Sequence, residues 1–259
     1  MNHTFFLQLY RYRELIKALA AKEVKIKYKS AVLGWAWSLL NPLVLMVVFS
    51  LVFTVVMRVR IENFPAFLLC ALLPWFFVSF SLTAATTSIV DNASLIKKAY
   101  FPYEVIPLSI VMANLFNFLI SLVLFFAFLV FYRIYPSWAW CFLPLVVVLQ
   151  VIFVAGLCLL SSALHTLFRD VKYAVELLLL VWFYATPIFY PLSFVPENLR
   201  PLFFCNPMTV FVGLYRSILL YGKVPSPGMI SVALSVSLLF LLVGMAVFLR
   251  HKKSFADVT

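Results

Sequence analysis

Carboxylates are scarce in this chain. Nine Asp and Glu stand against twenty Lys and Arg in 259 residues, and no acidic residue falls near the middle of an apolar run, Glu176 in the first turn of one being the nearest. Transport coupled to protons or sodium usually relies on ionisable groups inside the membrane, so ion coupling is disfavoured. No ring of charge marks a passive channel. Glycine is sparse as well: the six glycines never assemble the phosphate loop of an ATPase, which excludes nucleotide hydrolysis by this chain alone. The cysteines Cys70, Cys141, Cys158 and Cys205 are scattered without C-x-x-C or Cys/His spacing, so buried single thiols are expected and a metal site is not. H-E-x-x-H, G-x-S-x-G and carboxylate–histidine clusters are all missing, and no catalytic residue is assigned. No cleavable signal peptide is apparent, because residues 1–29 are charged throughout and the first apolar run is too long.

Apolar side chains are what the sequence does have. A hydrophobic content of 65% and a mean hydropathy of +1.08 exceed what a soluble globular domain carries. A bilayer span needs about 20 mostly apolar residues, and runs at 33–57, 64–90, 108–132, 140–167, 173–190 and 229–249 meet or approach that need. The expected fold class is therefore all-α and integral to the membrane, with six transmembrane helices in a single domain, 1–259. Within it, 1–30 is expected as an interface helix and basic run, 33–190 as spans 1–5, 191–228 as an outer re-entrant stretch and 229–250 as span 6.

The net charge of +11 resides in short loops beside apolar runs, as membrane orientation requires, so nucleic acid is not an expected partner. Of the twenty Lys and Arg, 14 fall on the side that carries both termini, which places both termini in the cytoplasm.

Phe5, Leu9, Tyr12, Ile16 and Leu19 recur at helical spacing and predict an amphipathic helix in the membrane interface. Lys22, Lys25, Lys27 and Lys29 follow as a basic run facing anionic headgroups, or as a topogenic anchor with no further role. In span 3, Asn114, Asn117 and Ser121 share one face, which either bonds a neighbouring helix or lines a path. Trp75, Tyr184 and Phe189 lie beside or near Pro74 and Pro187, where an irregular helix could open a cavity, and are path candidates on that ground. Pro187 and Pro191 stop span 5. The apolar pieces that follow, broken at Pro196, Pro201, Pro207 and Pro225, are too short to cross a bilayer and read as interfacial or re-entrant helices.

The polar break at 91–107, DNASLIKKAYFPYEVIP, separates spans 2 and 3. It carries Lys97 and Lys98 between apolar neighbours and stiffens at Pro102 and Pro107. This is the stretch that something outside the membrane could push.

Residues 27–42, KYKSAVLGWAWSLLNP, resemble the entry to the first span of the type-2 ABC exporter permeases that move lipid-linked polysaccharides. The similarity continues in order through Ile96-Lys97-Lys98, Phe101-Pro102, Phe168-Arg169-Asp170 and Asn206-Pro207 to Tyr215-Arg216, over nearly the whole chain. The resemblance implies a homodimer of this chain with two copies of a separate ATP-binding subunit. ATP and Mg²⁺ would reside in that subunit, and this chain would hold no cofactor. It further implies that a short helix at 92–100 docks on the ATPase, making Asn92, Leu95, Ile96, Lys97, Lys98, Tyr100, Phe101 and Pro102 coupling residues, together with Arg169 and Asp170. Tyr10, Arg11, Arg13 and Lys17 would belong to the interface helix. Arg200, Asn206, Pro207, Tyr215 and Arg216 would belong to gate helices on the periplasmic face. A lipid-linked glycan, O-antigen before teichoic acid or capsule, would pass between the two copies among membrane lipids. Outside transport, the alternatives are a membrane enzyme using Glu197, Arg200 and Arg216, or a scaffold without an ATPase.

Overall fold

The computed structural model describes residues 11–28, 36–58, 61–98, 101–252 and 255. Phe5, Leu9, Tyr10, Lys29 and Tyr100 of the expectations above lie outside the described residues. All regular elements among the described residues are helical. They are α1 (Arg13–Tyr28), α2 (Ala36–Ser50), α3 (Phe64–Asp91), α4 (Ala93–Lys98), α5 (Val105–Phe131), α6 (Leu143–Leu167), α7 (Val171–Ala185), α8 (Arg200–Phe204), α9 (Pro207–Leu219) and α10 (Pro227–His251). A π-helical stretch, Leu51–Val56, continues α2, and a 3₁₀ turn, Trp138–Phe142, leads into α6. Among the described residues, four helices are long and apolar enough to cross a membrane: Phe64–Asp91, Val105–Phe131, Trp138–Leu167 and Pro227–His251.

The core is built around α3, which touches α2, α5, α6, α7 and α9. Its first half, Phe64 to Val78, is apolar on every side, as a helix enclosed by others requires, and Pro65 opens it at a position where a missing N–H costs nothing. The closest pairing is α6 with α10. An ideal Cβ on Gly156 would overlap the backbone of Phe240 and Leu241, and one on Gly244 would overlap the Gly156 carbonyl. Only glycine permits that approach. About two turns away the Ser237 hydroxyl donates to the Leu149 carbonyl at 2.8 Å, adding a bond between the two helices.

Expected helix ends hold closely for α3 and α10 and shift elsewhere. The span expected at 173–190 is helical only over Val171–Ala185, followed by bent chain from Thr186 to Tyr190. The physical reason is Pro187, which disfavours helix at the residue before it: Thr186 turns extended, and its hydroxyl donates back to the Trp182 carbonyl at 2.8 Å. At 1.5 Å per residue α7 is about 22 Å long, short of the hydrocarbon thickness. In the opposite sense, α5 begins at Val105 and takes Pro107 into its first turn, where no intrahelical donor is lost. The stretch 191–228 contains the short helices Leu192–Phe194 and Arg200–Phe204, then α9, which is buried on most of its surface against α3, α6 and α10.

A second, smaller core lies at the end of the bundle where α1 and Phe255 meet. Ile89, Ile96, Phe101, Val105, Phe248 and Phe255 form its centre, with Leu159 and Ala163 of α6 beside them. Tyr12, just ahead of α1, and Leu15, Ile16 and Leu19 of α1 pack on it, so the apolar stripe of the N-terminal helix meets protein there. We call this the terminal end and the opposite one the distal end.

Candidate functional site

The break between α3 and α5 is a helix clamped from inside. Asn92 ends α3, its side-chain amide donating to the Ser88 carbonyl at 2.9 Å, and its own carbonyl then accepts from Leu95 and Ile96 to start α4. Thr87 Oγ1 donates to Asp91 at 2.6 Å on the rim. Ile96 and Phe101 are buried in the second core and Leu95 is half-buried against it, whereas Ser94, Lys97 and Lys98 are exposed. Half-buried Pro102 turns the chain into α5 by accepting from Val105 N–H at 3.1 Å. Five of the eight loop residues expected to couple are thus divided: Leu95, Ile96 and Phe101 anchor the helix, and Lys97 and Lys98 face outward.

Arg169 and Asp170 are exposed in the turn between α6 and α7, and Val171 N–H closes that turn on the Phe168 carbonyl at 3.1 Å. Buried His165 lies within electrostatic reach of Asp91 on one side and of Arg169 and Lys172 on the other, so both turns reach the same end of the molecule. On α1, Arg11 is exposed, and Arg13 and Lys17 both pair with Glu14, at 3.5 and 3.0 Å. The Lys17 ammonium holds the Glu14 carboxyl below the usual carboxylate range, with Arg13 adding to the effect.

The six path candidates fall into two groups. Asn114, Asn117 and Ser121 are buried along one face of α5 and look into the seam between α5 and α3. A groove of about 510 Å³ there is lined by Glu23 and Val24 of α1, Ser79 and Thr83 of α3, and Asn114 and Asn117. Smaller pockets continue it past Pro42 and then Leu43, with Ser121 in both. Asn114 donates to the Ile110 carbonyl at 3.1 Å and Ser121 to the Asn117 carbonyl at 2.9 Å. Trp75, Tyr184 and Phe189 are elsewhere. Trp75 is buried against Trp182 and Phe183 of α7, at 5.7 and 5.4 Å between ring centroids. Phe189 is buried against Phe49 and Phe183, and Tyr184, which is exposed, lies 6.0 Å from it. The bend at Pro187 is filled by these rings.

At the distal end, polar side chains hold irregular backbone in place. Asn206 caps α9 by accepting from Met208 N–H at 2.9 Å, ahead of Pro207 at the first helical position. The same oxygen accepts from Trp182 Nε1 at 2.7 Å, and the amide nitrogen donates to Thr186 Oγ1 at 3.0 Å and the Ala185 carbonyl at 3.2 Å. Asn206 therefore ties the start of α9 to the end of α7. Arg216 does the same one level along. Its guanidinium donates to the carbonyls of Pro187 and Ile188, both at 2.7 Å, and stacks 3.5 Å from the Phe67 ring centroid. Beside it the Tyr215 hydroxyl donates to Gln150 Oε1 at 2.7 Å, and Gln150 Nε2 donates to the Pro74 carbonyl at 2.9 Å. Arg200 stays local, bonded to the Val195 carbonyl at 3.1 Å and paired with Glu197 at 3.2 Å.

The terminal nitrogens of Arg216 donate to backbone, and the Arg200–Glu197 pair is bound up in its own turn. No cluster of His, Cys, Asp or Glu fit for a metal exists among the described residues. Gln150, Trp182, Glu104 and Phe255 were not singled out by sequence. Only the buried amide of Gln150 in an apolar run carried a signal, since such a group needs a partner.

A bundle of long apolar helices, with a cationic short helix clamped at one end and no reactive constellation among its described residues, is the make-up of a transport subunit. Residues 14–220 match the family model described as ABC-2 type transporter, and the chain belongs to that family; it is a multi-pass membrane protein. It is 36% identical over 252 residues to the O-antigen export system permease protein RfbA of Myxococcus xanthus, covering 96% of this chain and 97% of that one. The protein of the same name from Klebsiella pneumoniae is 35% identical over 246 residues, 95% of each chain. The polysialic acid transport protein KpsM of Escherichia coli is 23% identical over 244 residues, 92% of this chain and 94% of that one.

Proposed function

We propose that this chain is the permease subunit of an ATP-driven exporter that moves O-antigen across the bacterial inner membrane. The observation that carries the reading is the similarity at 35–36% over at least 95% of the chain to proteins named for O-antigen export. The lower identity to the polysialic acid transport protein favours O-antigen over polysialic acid.

In this reading the whole chain is one transmembrane domain. The stretch Leu40–Val56, with the residues before it, and α7 supply the two spans beyond the four long helices, and α9 is a re-entrant helix on the periplasmic side. Both termini are cytoplasmic, as the 14 basic residues on their side require. Two copies of the chain assemble with two copies of an ATPase subunit, which holds ATP and Mg²⁺. Val44, Val47, Val48 and Leu51 form an exposed apolar stripe at helical spacing, and Leu177, Leu180, Val181 and Tyr184 form another on α7; these faces suit lipid and the second copy. Asn114 and Ser121 bond within their own helix, which supports a role in lining the groove over a role in joining helices. The groove gives a glycan or its carrier lipid a polar wall.

The exposed Lys97 and Lys98 face the ATPase, and the half-buried Leu95 with the buried Ile96 and Phe101 passes its movement into the bundle. Reversing both charges in the K97E/K98E variant is expected to leave the permease folded and inserted while O-antigen at the cell surface falls by about tenfold, the effect of about 1.4 kcal/mol of lost contact. Unchanged surface O-antigen would remove both lysines from the mechanism.

A further inference from the structure

Glu104 is the group that the transport mechanism leaves unexplained. It stands at the first residue ahead of α5, its side chain is 3% exposed, and it pairs with Lys252 Nζ at 3.5 Å, beyond the end of α10. Its other oxygen has no hydrogen-bond partner among the described residues. A carboxylate taken out of water is costly unless something holds it; here the N-terminal dipole of α5 and the Lys252 ammonium do so. Three residues further on, Phe255 is fully buried, 5.0 Å from Phe248 of α10 and 6.4 Å from Tyr103, the neighbour of Glu104. The chain after α10 therefore grips the exit of the coupling loop twice, once by charge and once by ring packing.

We propose that Glu104, Lys252 and Phe255 form a latch that carries the motion of α4 into α10. This rests on the reading that α4 receives the stroke of the ATPase. α4 and the first turn of α5 share one apolar core with Phe248, so a push on α4 already bears on α10. That core is a set of sliding ring and aliphatic contacts, and ridges of side chains can shear past one another. The ion pair and the Phe255 plug fix the register. Because α10 is locked to α6 at Gly156 and Gly244, a fixed register at the latch turns both helices together, leaving α2 and α7 as the elements that move against them. Glu104, Lys252 and Phe255 are positioning residues, acting through α4 and α10.

The latch is tested in the complete transporter, permease with its ATPase, by measuring ATP hydrolysis in lipid nanodiscs and O-antigen at the surface of cells carrying the same variants. In E104Q, K252M and F255A, surface O-antigen is expected to fall about tenfold while hydrolysis stays within about twofold of the parent, so that export per ATP is lost. The double variant E104Q/K252M is expected to be no worse than either single one, the signature of two groups acting as a pair. Proportional loss of hydrolysis and export, or additive losses in the double variant, would overturn the latch and leave structural support only. Where F255A fails to assemble, F255L preserves bulk, and normal export per ATP in F255L alongside normal export in E104Q and K252M overturns the proposal as well. The K97E/K98E variant separates the two readings. If it uncouples export while K252M and E104Q do not, the latch fails and the docking surface stands; if it has no effect, the docking reading fails first.

Discussion

The two ends of this molecule are held by opposite chemistry. At the terminal end, α1, α4, α5, α6, α10 and Phe255 converge on a core of aliphatic and aromatic side chains with the Glu104–Lys252 ion pair on its edge. At the distal end the same bundle is closed by Asn206 and Arg216, which bond carbonyls of the bent chain after α7, and by Tyr215 and Gln150, which bond each other and the Pro74 carbonyl. Apolar contacts are non-directional, so a core built of them can shift as a unit. Directional bonds to backbone resist shifting, because a buried polar group without its partner is costly. The difference suits a protein driven at one end while the other holds a bent chain in one shape.

The largest expected effect removes the seam that joins the two ends. Gly244→Leu places a side chain where the Gly156 backbone already sits, and forcing α6 from α10 is expected to abolish accumulation of folded permease in the membrane. Monodisperse protein on size-exclusion chromatography would show that the close crossing is dispensable. Next comes the distal lock. Arg216→Met strips buried carbonyls at Pro187 and Ile188 of their donors, at a cost on the order of 3 kcal/mol, and is expected to lower the melting temperature in detergent and reduce export with it. Asn206→Ala loses one helix cap and the tie to Trp182, for about 1–2 kcal/mol. The smallest change, Tyr215→Phe, removes one hydroxyl bond to Gln150 and is expected to cost about 1 kcal/mol while export continues. A terminal-end change of equal size, Ile96→Val, removes one methylene from the apolar core for about 1 kcal/mol. It is expected to disturb export per ATP more than Tyr215→Phe does, although the melting temperatures fall alike. Equal effects on export would erase the distinction between the ends.

Much of this was legible before any coordinates. Runs bounded by charge or by Asn and Pro, as at Asn63 and Pro65, mark where α3 begins, and Arg250 and His251 mark where α10 stops. Asn206-Pro207 is readable as a cap followed by a first-turn proline. What escaped is long-range. Nothing local ties Glu104 to Lys252, 148 positions away, or Tyr215 to Gln150. Span 5 was drawn too long because Tyr184 to Tyr190 stays apolar across the proline; hydropathy does not register the missing donor, whereas backbone geometry does. Proline irregularity near Trp75 and Phe189 suggests space, and local sequence does not show that rings from α2 and α7 pack against these two residues.

The most direct measurement places a cysteine at exposed Ser94 on α4, with Cys141 and Cys205 replaced by serine, and crosslinks it in native membranes before purifying the tagged permease. A permease driven through α4 is expected to yield a single crosslinked partner carrying a phosphate-loop ATPase motif, at about one copy per permease. Recovery of the permease uncrosslinked, or joined only to itself, with no ATPase subunit in the purified material, would contradict an exporter powered at this end.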